Sequence, residues 1–335
     1  MARRMVCGWL GVLLLLGAGT AAALPYTGMV VLGDSLSDGG NALILSGGAS
    51  ASPPFDPVPS LPYGSGRFSD GAVAAEQVAS ALGLPLAPSL AGGTNYALGG
   101  ARTGPASGTG LPLTLADQAA LYLADVGGVV PGNPLFWIWG GANDLRDAAA
   151  LPDPTAAVAA AAGRIATLIG DLAAAGARHF VVLGAPDLGM TPEAAAAGVA
   201  AQASALAAGF NAALAAGLDL LEATIPGLDL TRVDVFGTMR AVAADPAAFG
   251  LADVTTPCLR FGEPDPALAV CADPGAHLFW DAIHPTAAGH RIAAETVLRA
   301  LPEPPLAWLL LPGLLLLAPR LARGRGAVTT RRPRR

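Results

Sequence analysis

Apolar residues gather in short runs along this chain, and most of the runs stop at glycine. Residues 29–32, 135–139 and 180–183 are unbroken apolar stretches that end at Gly33, Gly140 and Gly184. Runs of this length, bounded by turn residues, predict strands buried on both faces. Residues 232–236 predict a fourth strand. Longer stretches with helical spacing lie between them. One runs from a cap at Asp70 to about Leu82, stopped by Gly83 and Pro85. A second covers 154–175, with Ile165, Leu168, Ile169 and Leu172 on one side, and a third covers 192–216, stopped by Gly217. Residues 286–298 form a closing helix, and the Gly-, Ser- and Pro-rich stretch 46–66 is loop. Strands that alternate with helices predict an α/β fold, a three-layer α/β/α sandwich with a central, mostly parallel sheet. Residues 24–301 read as one such domain. Polar clusters fall just past two strand ends, at 33–41 and 140–144. In open parallel sheets that edge is where ligands bind.

Charge narrows the class of partner. The chain has no lysine, and its 19 basic residues are all arginine. Between the terminal clusters, ten arginines stand against all 25 acids. A surface this acidic excludes nucleic acid, whose phosphates require cationic contacts.

The two ends read as addresses. Residues 1–23 carry Arg3 and Arg4, an apolar run over 9–16 and then Ala21, Ala22 and Ala23, the layout of a secretory signal cut by signal peptidase. An uncleaved anchor is the other reading, although the run is short of the ~20 residues that a span needs. Residues 302–335 begin Pro302, Glu303, Pro304, continue through a short apolar stretch and end in seven arginines from Arg320 to Arg335. This tail resembles the PEP-CTERM sorting signal of Gram-negative bacteria. The resemblance implies transient membrane association, an exosortase-like processing enzyme, and export to the cell envelope or beyond; a plain C-terminal anchor is the alternative. Cys7 falls within the signal, which leaves Cys258 and Cys271 as an even pair in an oxidising compartment, for which a disulfide is the default.

Candidate chemistry starts at Gly33-Asp34-Ser35-Leu36-Ser37, where the chain leaves a strand. Gly33 permits a tight bend there, and Ser35 falls where a helix would begin. Ser35 then has two readings, a nucleophile with its N–H aimed outward or an N-cap. A serine needs a base to act as a nucleophile. Of His179, His277, His284 and His290, only His284 has an acid three residues before it, Asp281, placed to hold one imidazole tautomer. Acyl transfer also needs oxyanion donors. The glycine pair of Asn95-Tyr-Ala-Leu-Gly-Gly100-Ala and Asn143 of Gly140-Gly-Ala-Asn-Asp144 are candidates, each equally readable as a turn. Trp137, Trp139, Phe279 and Trp280 are readable as acyl-pocket lining or as core.

These four segments resemble, in order, the four blocks of the SGNH (GDSL) hydrolases: GDSLSDGGN, NYALGGA, GGAND and DAIHP. Residues 66–71 and 184–192 are similar to stretches of the family's lipase and lecithinase branch. The resemblance implies a flavodoxin-like sandwich and hydrolysis of carboxylic esters, lipid or phospholipid esters among them. Ser35, His284 and Asp281 would be the catalytic residues, and the N–H groups of Ser35 and Gly100 with the Asn143 amide would form the oxyanion hole. It implies no metal or cofactor, and an ester substrate as the partner. It leaves open an acyltransferase, a carbohydrate O-deacetylase or a non-catalytic envelope binding protein on the same fold.

Overall fold

The computed structural model describes residues 26–47, 62–105, 107–260 and 269–302. The proposed signal, the sorting tail beyond Pro302 and Cys7 lie outside them.

Four parallel strands form the central sheet in the order β1-β2-β3-β4. They are β1 (Met29–Gly33), β2 (Leu135–Trp139), β3 (His179–Leu183) and β4 (Asp229–Val233). Successive side chains point to opposite faces, so each strand feeds two cores. Val30, Leu32, Phe136, Ile138, Phe180 and Val182 face one side, where Phe136 stacks on Phe180 at 5.2 Å. Met29, Val31, Leu135, Trp137, Trp139, Val181 and Leu183 face the other. Burial on both faces is why β1, β2 and β3 read as unbroken apolar runs. Truncating a ring such as Phe136 to alanine typically costs about 3–5 kcal/mol.

The helices cover both faces. The Phe136 side packs against α3 (Leu115–Asp125), α4 (Ala142–Ala148), α5 (Thr155–Ala174) and α7 (Ala200–Thr224). The Trp137 side packs against α2 (Ala74–Ala81) and α9 (Ala287–Ala300). The result is the three-layer α/β/α sandwich. Two short helices, α1 (Asn41–Leu45) and α6 (Pro192–Ala196), lie near the strand ends, and α8 (Val235–Ala244) follows β4. A small sheet pairs β5 (Asp253–Pro257) with β6 (His277–Phe279), and the Cys258–Cys271 disulfide closes the hairpin beyond β5.

Residues 94–98 run along the free edge of β1. Tyr96 N–H donates to Val31 O at 2.8 Å, Leu98 N–H donates to Gly33 O at 3.2 Å, and Val31 N–H donates to Thr94 O at 3.0 Å. The chain therefore leaves β1 toward one side by way of this segment and toward the other by way of β2. Such a switch point opens a crevice at the carboxyl end of the strand.

Several local expectations change. Asp70 does not cap the helix that follows it; Val73 holds that position, and the Asp70 carboxylate accepts from Ala287 N–H at 2.6 Å, at the start of α9. The 192–216 helix is two helices, parted at Gly198 (φ 68°). Gly217 does not stop α7. It lies inside it, where a Cβ would come 2.9 Å from Ala166 of α5, so it sets how closely the two helices pack. The fourth strand ends at Val233, because Asp234 caps α8 by accepting from Gly237 N–H. No α-helix begins at Ser35. Residues 34–38 make one hydrogen-bonded turn, and α1 starts at Asn41. Gly33 serves close approach rather than a bend, since a Cβ there would lie 2.6 Å from Trp139 O on β2.

Candidate active site

Ser35 sits on the turn at the end of β1, in the crevice. Side chains on both flanks fix the turn. Gln118 of α3 accepts from Gly33 N–H and donates to Gly33 O, each at 2.8 Å. Asn95 donates to Ser37 O, Asn41 donates to Asn95 O and Ala97 O, and Trp137 Nε1–H donates to Ser37 Oγ. Asp38 ties the turn to the glycine segment: its carboxylate accepts from Gly40, Asn41, Ala42 and Gly99 N–H groups. Burial raises the Asp38 carboxyl to about 6 despite those bonds. Asp34 is also raised by burial to about 6, against the Leu36 N–H bond and the neighbouring His284; its Oδ2 has no hydrogen-bond partner among the described residues.

His284 arrives from the other end of the chain. Pro285 and Thr286 follow it, and the Thr286 side chain caps α9 by accepting from Gly289 N–H. His284 Nε2 lies 2.9 Å from Ser35 Oγ, and its Nδ1 lies 2.7 Å from Asp281 Oδ2. A carboxylate only accepts, so Nδ1 carries the proton and Nε2 is the acceptor for the Ser35 hydroxyl. Asp281 is fully buried and also accepts from Ile283 and His284 N–H groups. Burial alone would raise its carboxyl; His284 and these N–H groups outweigh that and hold it below the ordinary range. Phe68, of the 66–71 segment, lays its ring beside His284 with centroids 5.1 Å apart.

Gly100 and Asn143 border the same space. A cavity of about 220 Å³ is lined by Ser35, Gly100, Asn143 and His284. Gly100 has φ 79°, a conformation that side-chain-bearing residues rarely adopt. The Ser35 and Gly100 N–H groups have no acceptor among the described residues. Asn143 opens α4 just past β2, and its amide donates one bond to Ala101 O at 3.0 Å. Asp144 holds the facing loop, accepting from Thr103 N–H and Oγ1–H and from Arg164. The structure therefore brings together all five residues that the sequence singled out here, from segments up to 249 positions apart.

A second cavity, of about 480 Å³, adjoins the first and runs away from Ser35 between α4, α6 and α7. Its walls include Leu145, Leu188, Val199 and Leu206 with several alanines, Ala203 among them. Arg102 and Arg146 stand where the two cavities meet. Each is tied to an acid, Arg102 to Asp147 at 2.9 Å and Arg146 to Glu193 of α6 at 2.7 Å. The aromatic residues considered for an acyl pocket are core instead. Trp137, Trp139, Phe279 and Trp280 are at most 3% exposed and line neither cavity. The sequence did not single out Asp38, the alanines or Tyr63, whose hydroxyl donates to Asp281 Oδ2 at 2.8 Å. Asp38 falls within the GDSLSDGGN segment; no short-range pattern marks the alanines or Tyr63.

The family model for GDSL-like Lipase/Acylhydrolase matches residues 29–297. The chain is 30% identical to GDSL esterase/lipase At5g55050 of Arabidopsis thaliana, over 84% of this chain and 87% of that protein. It is 32% identical to Esterase EstA of Pseudomonas aeruginosa over 85% of this chain, and spans about half, 48%, of that esterase. Among solved structures, a putative GDSL-like lipase from Parabacteroides merdae aligns over 83% of this chain and 96% of that one, at 11% identity and a TM-score of 0.42. On the extent of the family match and the identity to the Arabidopsis relative, the chain belongs to the GDSL-like lipase/acylhydrolase family.

Proposed function

We propose that this protein is an exported serine esterase that hydrolyses carboxylic esters of apolar acyl chains through an acyl-serine intermediate. The unbroken line of contacts from Ser35 Oγ through His284 to Asp281 carries the reading. In this account Ser35 Oγ attacks the ester carbonyl and passes its proton to His284 Nε2. Asp281 orients the ring and stabilises the imidazolium. The Ser35 and Gly100 N–H groups and the Asn143 amide donate to the oxyanion. His284 then protonates the departing alkoxide; water, deprotonated by the same nitrogen, attacks the acyl carbon, the bond to Ser35 Oγ breaks, and His284 returns the proton to Ser35 as the acid leaves. Charge is held by hydrogen bonds throughout, and Arg102 and Arg146 flank the entrance with their own charges already offset.

The larger cavity supports a lipid-like acyl group. Each buried methylene contributes about 0.8 kcal/mol, roughly fourfold in kcat/KM until the cavity is full. p-Nitrophenyl esters of rising chain length, assayed beside acetylated glycans, test this. We expect kcat/KM to climb with chain length in the native protein and to stop climbing early in Ala203→Phe. Activity on acetyl sugars alone would replace this reading with an O-deacetylase.

Export is part of the proposal. The patterns at residues 1–23 and 302–335 support it, as does the Cys258–Cys271 disulfide, a bond that persists in oxidising compartments. Protein purified from the native host is expected to lack Arg335, and an intact mass that retains it would contradict the processing.

A further inference from the structure

We propose that Tyr63 is a positioning residue for the reaction, acting through Asp281. The inference rests on the serine-esterase reading above. The Tyr63 hydroxyl donates to Asp281 Oδ2, the same oxygen that lies 2.7 Å from His284 Nδ1. The other carboxylate oxygen accepts from Ile283 and His284 N–H groups. Among the described residues, Tyr63 thus supplies the one hydrogen bond to the Asp281 carboxylate that comes from a distant part of the chain, 218 residues away; the others come from residues two and three positions ahead. Local N–H bonds set where the carboxylate sits. They act on Oδ1 alone; on Oδ2 the Tyr63 hydroxyl is a second donor beside His284 Nδ1, so it adds to the resistance against turning about the Cβ–Cγ bond at the oxygen that faces the imidazole.

Tyr63 is itself held. It is 1% exposed, and its ring meets Trp280 edge-on with centroids 5.9 Å apart. Both rings pack with Cys258, Leu259 and Cys271. The hairpin that the disulfide closes is bonded to the strand entering the Asp281 turn: Cys258 N–H donates to Phe279 O and Leu259 N–H donates to Trp280 O. The disulfide, Tyr63 and Trp280 pack as one buried group behind the carboxylate. Phenylalanine would fill the same packing position, so the hydroxyl answers to Asp281 and not to the core. A hydrogen bond to a charged group is worth more than a neutral one, and losing it leaves the carboxylate with a looser orientation.

The test is Tyr63→Phe, alone and combined with Asp281→Ala, with kcat and KM measured separately on one p-nitrophenyl ester and folding checked by thermal melting. We expect about a tenfold fall in kcat, KM within twofold of the native value, and no further fall when Tyr63→Phe is added to Asp281→Ala. Full kcat in a folded Tyr63→Phe protein would overturn the inference. So would a tenfold loss that persists in the Asp281→Ala background, or a change confined to KM. A Ser35→Ala control separates the two claims. If that variant stays active, the esterase reading fails; if it is dead and Tyr63→Phe is unimpaired, only the role of Tyr63 fails.

Discussion

Two histidines six residues apart are both buried, His284 at 3% exposure and His290 at 0%, yet they differ in chemistry. His284 lies on the turn before α9 with a group at each ring nitrogen, Asp281 on one side and Ser35 on the other. His290 lies inside α9, edge-on to Trp139 at 6.5 Å, and neither of its nitrogens has a hydrogen-bond partner among the described residues. Burial drives the proton off His290 and pushes its pKa down to about 3. Desolvation by itself makes an inert ring. A carboxylate in line with it, and a hydroxyl beyond, make a base.

The largest expected effect breaks the comparison at its active member. His284→Ala should lower kcat by about 10⁴-fold or more, as loss of the base does in serine hydrolases, while His290→Leu should leave kcat within twofold. Equal losses in the two variants would mean that the chemistry does not depend on the Asp281 contact. Next in size is the proposed oxyanion donor: Asn143→Ala should cost about 10²–10³ in kcat with little change in KM. Kinetics on a single activated ester decide it.

The smallest effect sharpens the inactive side. The folded pKa of His290 is depressed, so the folded state stays neutral while the unfolded chain takes up a proton below about 6.5. The native protein therefore loses stability from this group as pH falls from 6.5 toward 3. His290→Leu removes that loss, and the variant should gain about 2 kcal/mol on the native protein between pH 8 and pH 5, read from urea melts. Asp34 and Asp38 act with the opposite sign. Their folded values near 6 lie above the unfolded ones, so their contribution is present at low pH and is lost as pH rises through 6. Both proteins share that trend, and it cancels in the difference.

Much of the framework was legible because it is local. β1, β2 and β3 are buried on both faces, so their sequences are continuous apolar runs with glycine at or just past the end. β4 is the edge strand and half-buried, its sequence Asp-Leu-Thr-Arg-Val carries no such run, and the sequence predicts it three residues late, at 232–236. The serine turn and Asp281-x-x-His284 were legible as short motifs. Roles set by distant packing were not. Asp70 reads as the cap of the next helix and instead accepts from the first N–H of α9, which Thr286 caps, at residue 287. Gly217 reads as a stop and is a contact point with Ala166. Tyr63 lies in a loop that shows no periodicity, and its partner is 218 positions away. The cavity wall is not legible because alanine is a good helix former, and nothing in the sequence separates an alanine that leaves room from one that fills a turn.

The central claim is that Ser35 is the nucleophile, and covalent labelling tests it most directly. Native protein treated with a fluorophosphonate and analysed by peptide mass spectrometry should carry a single phosphonyl group on Ser35. Labelling should disappear in Ser35→Ala and slow by orders of magnitude in His284→Ala. A label on another residue, or an esterase that turns over normally while Ser35 stays unmodified, would contradict the account.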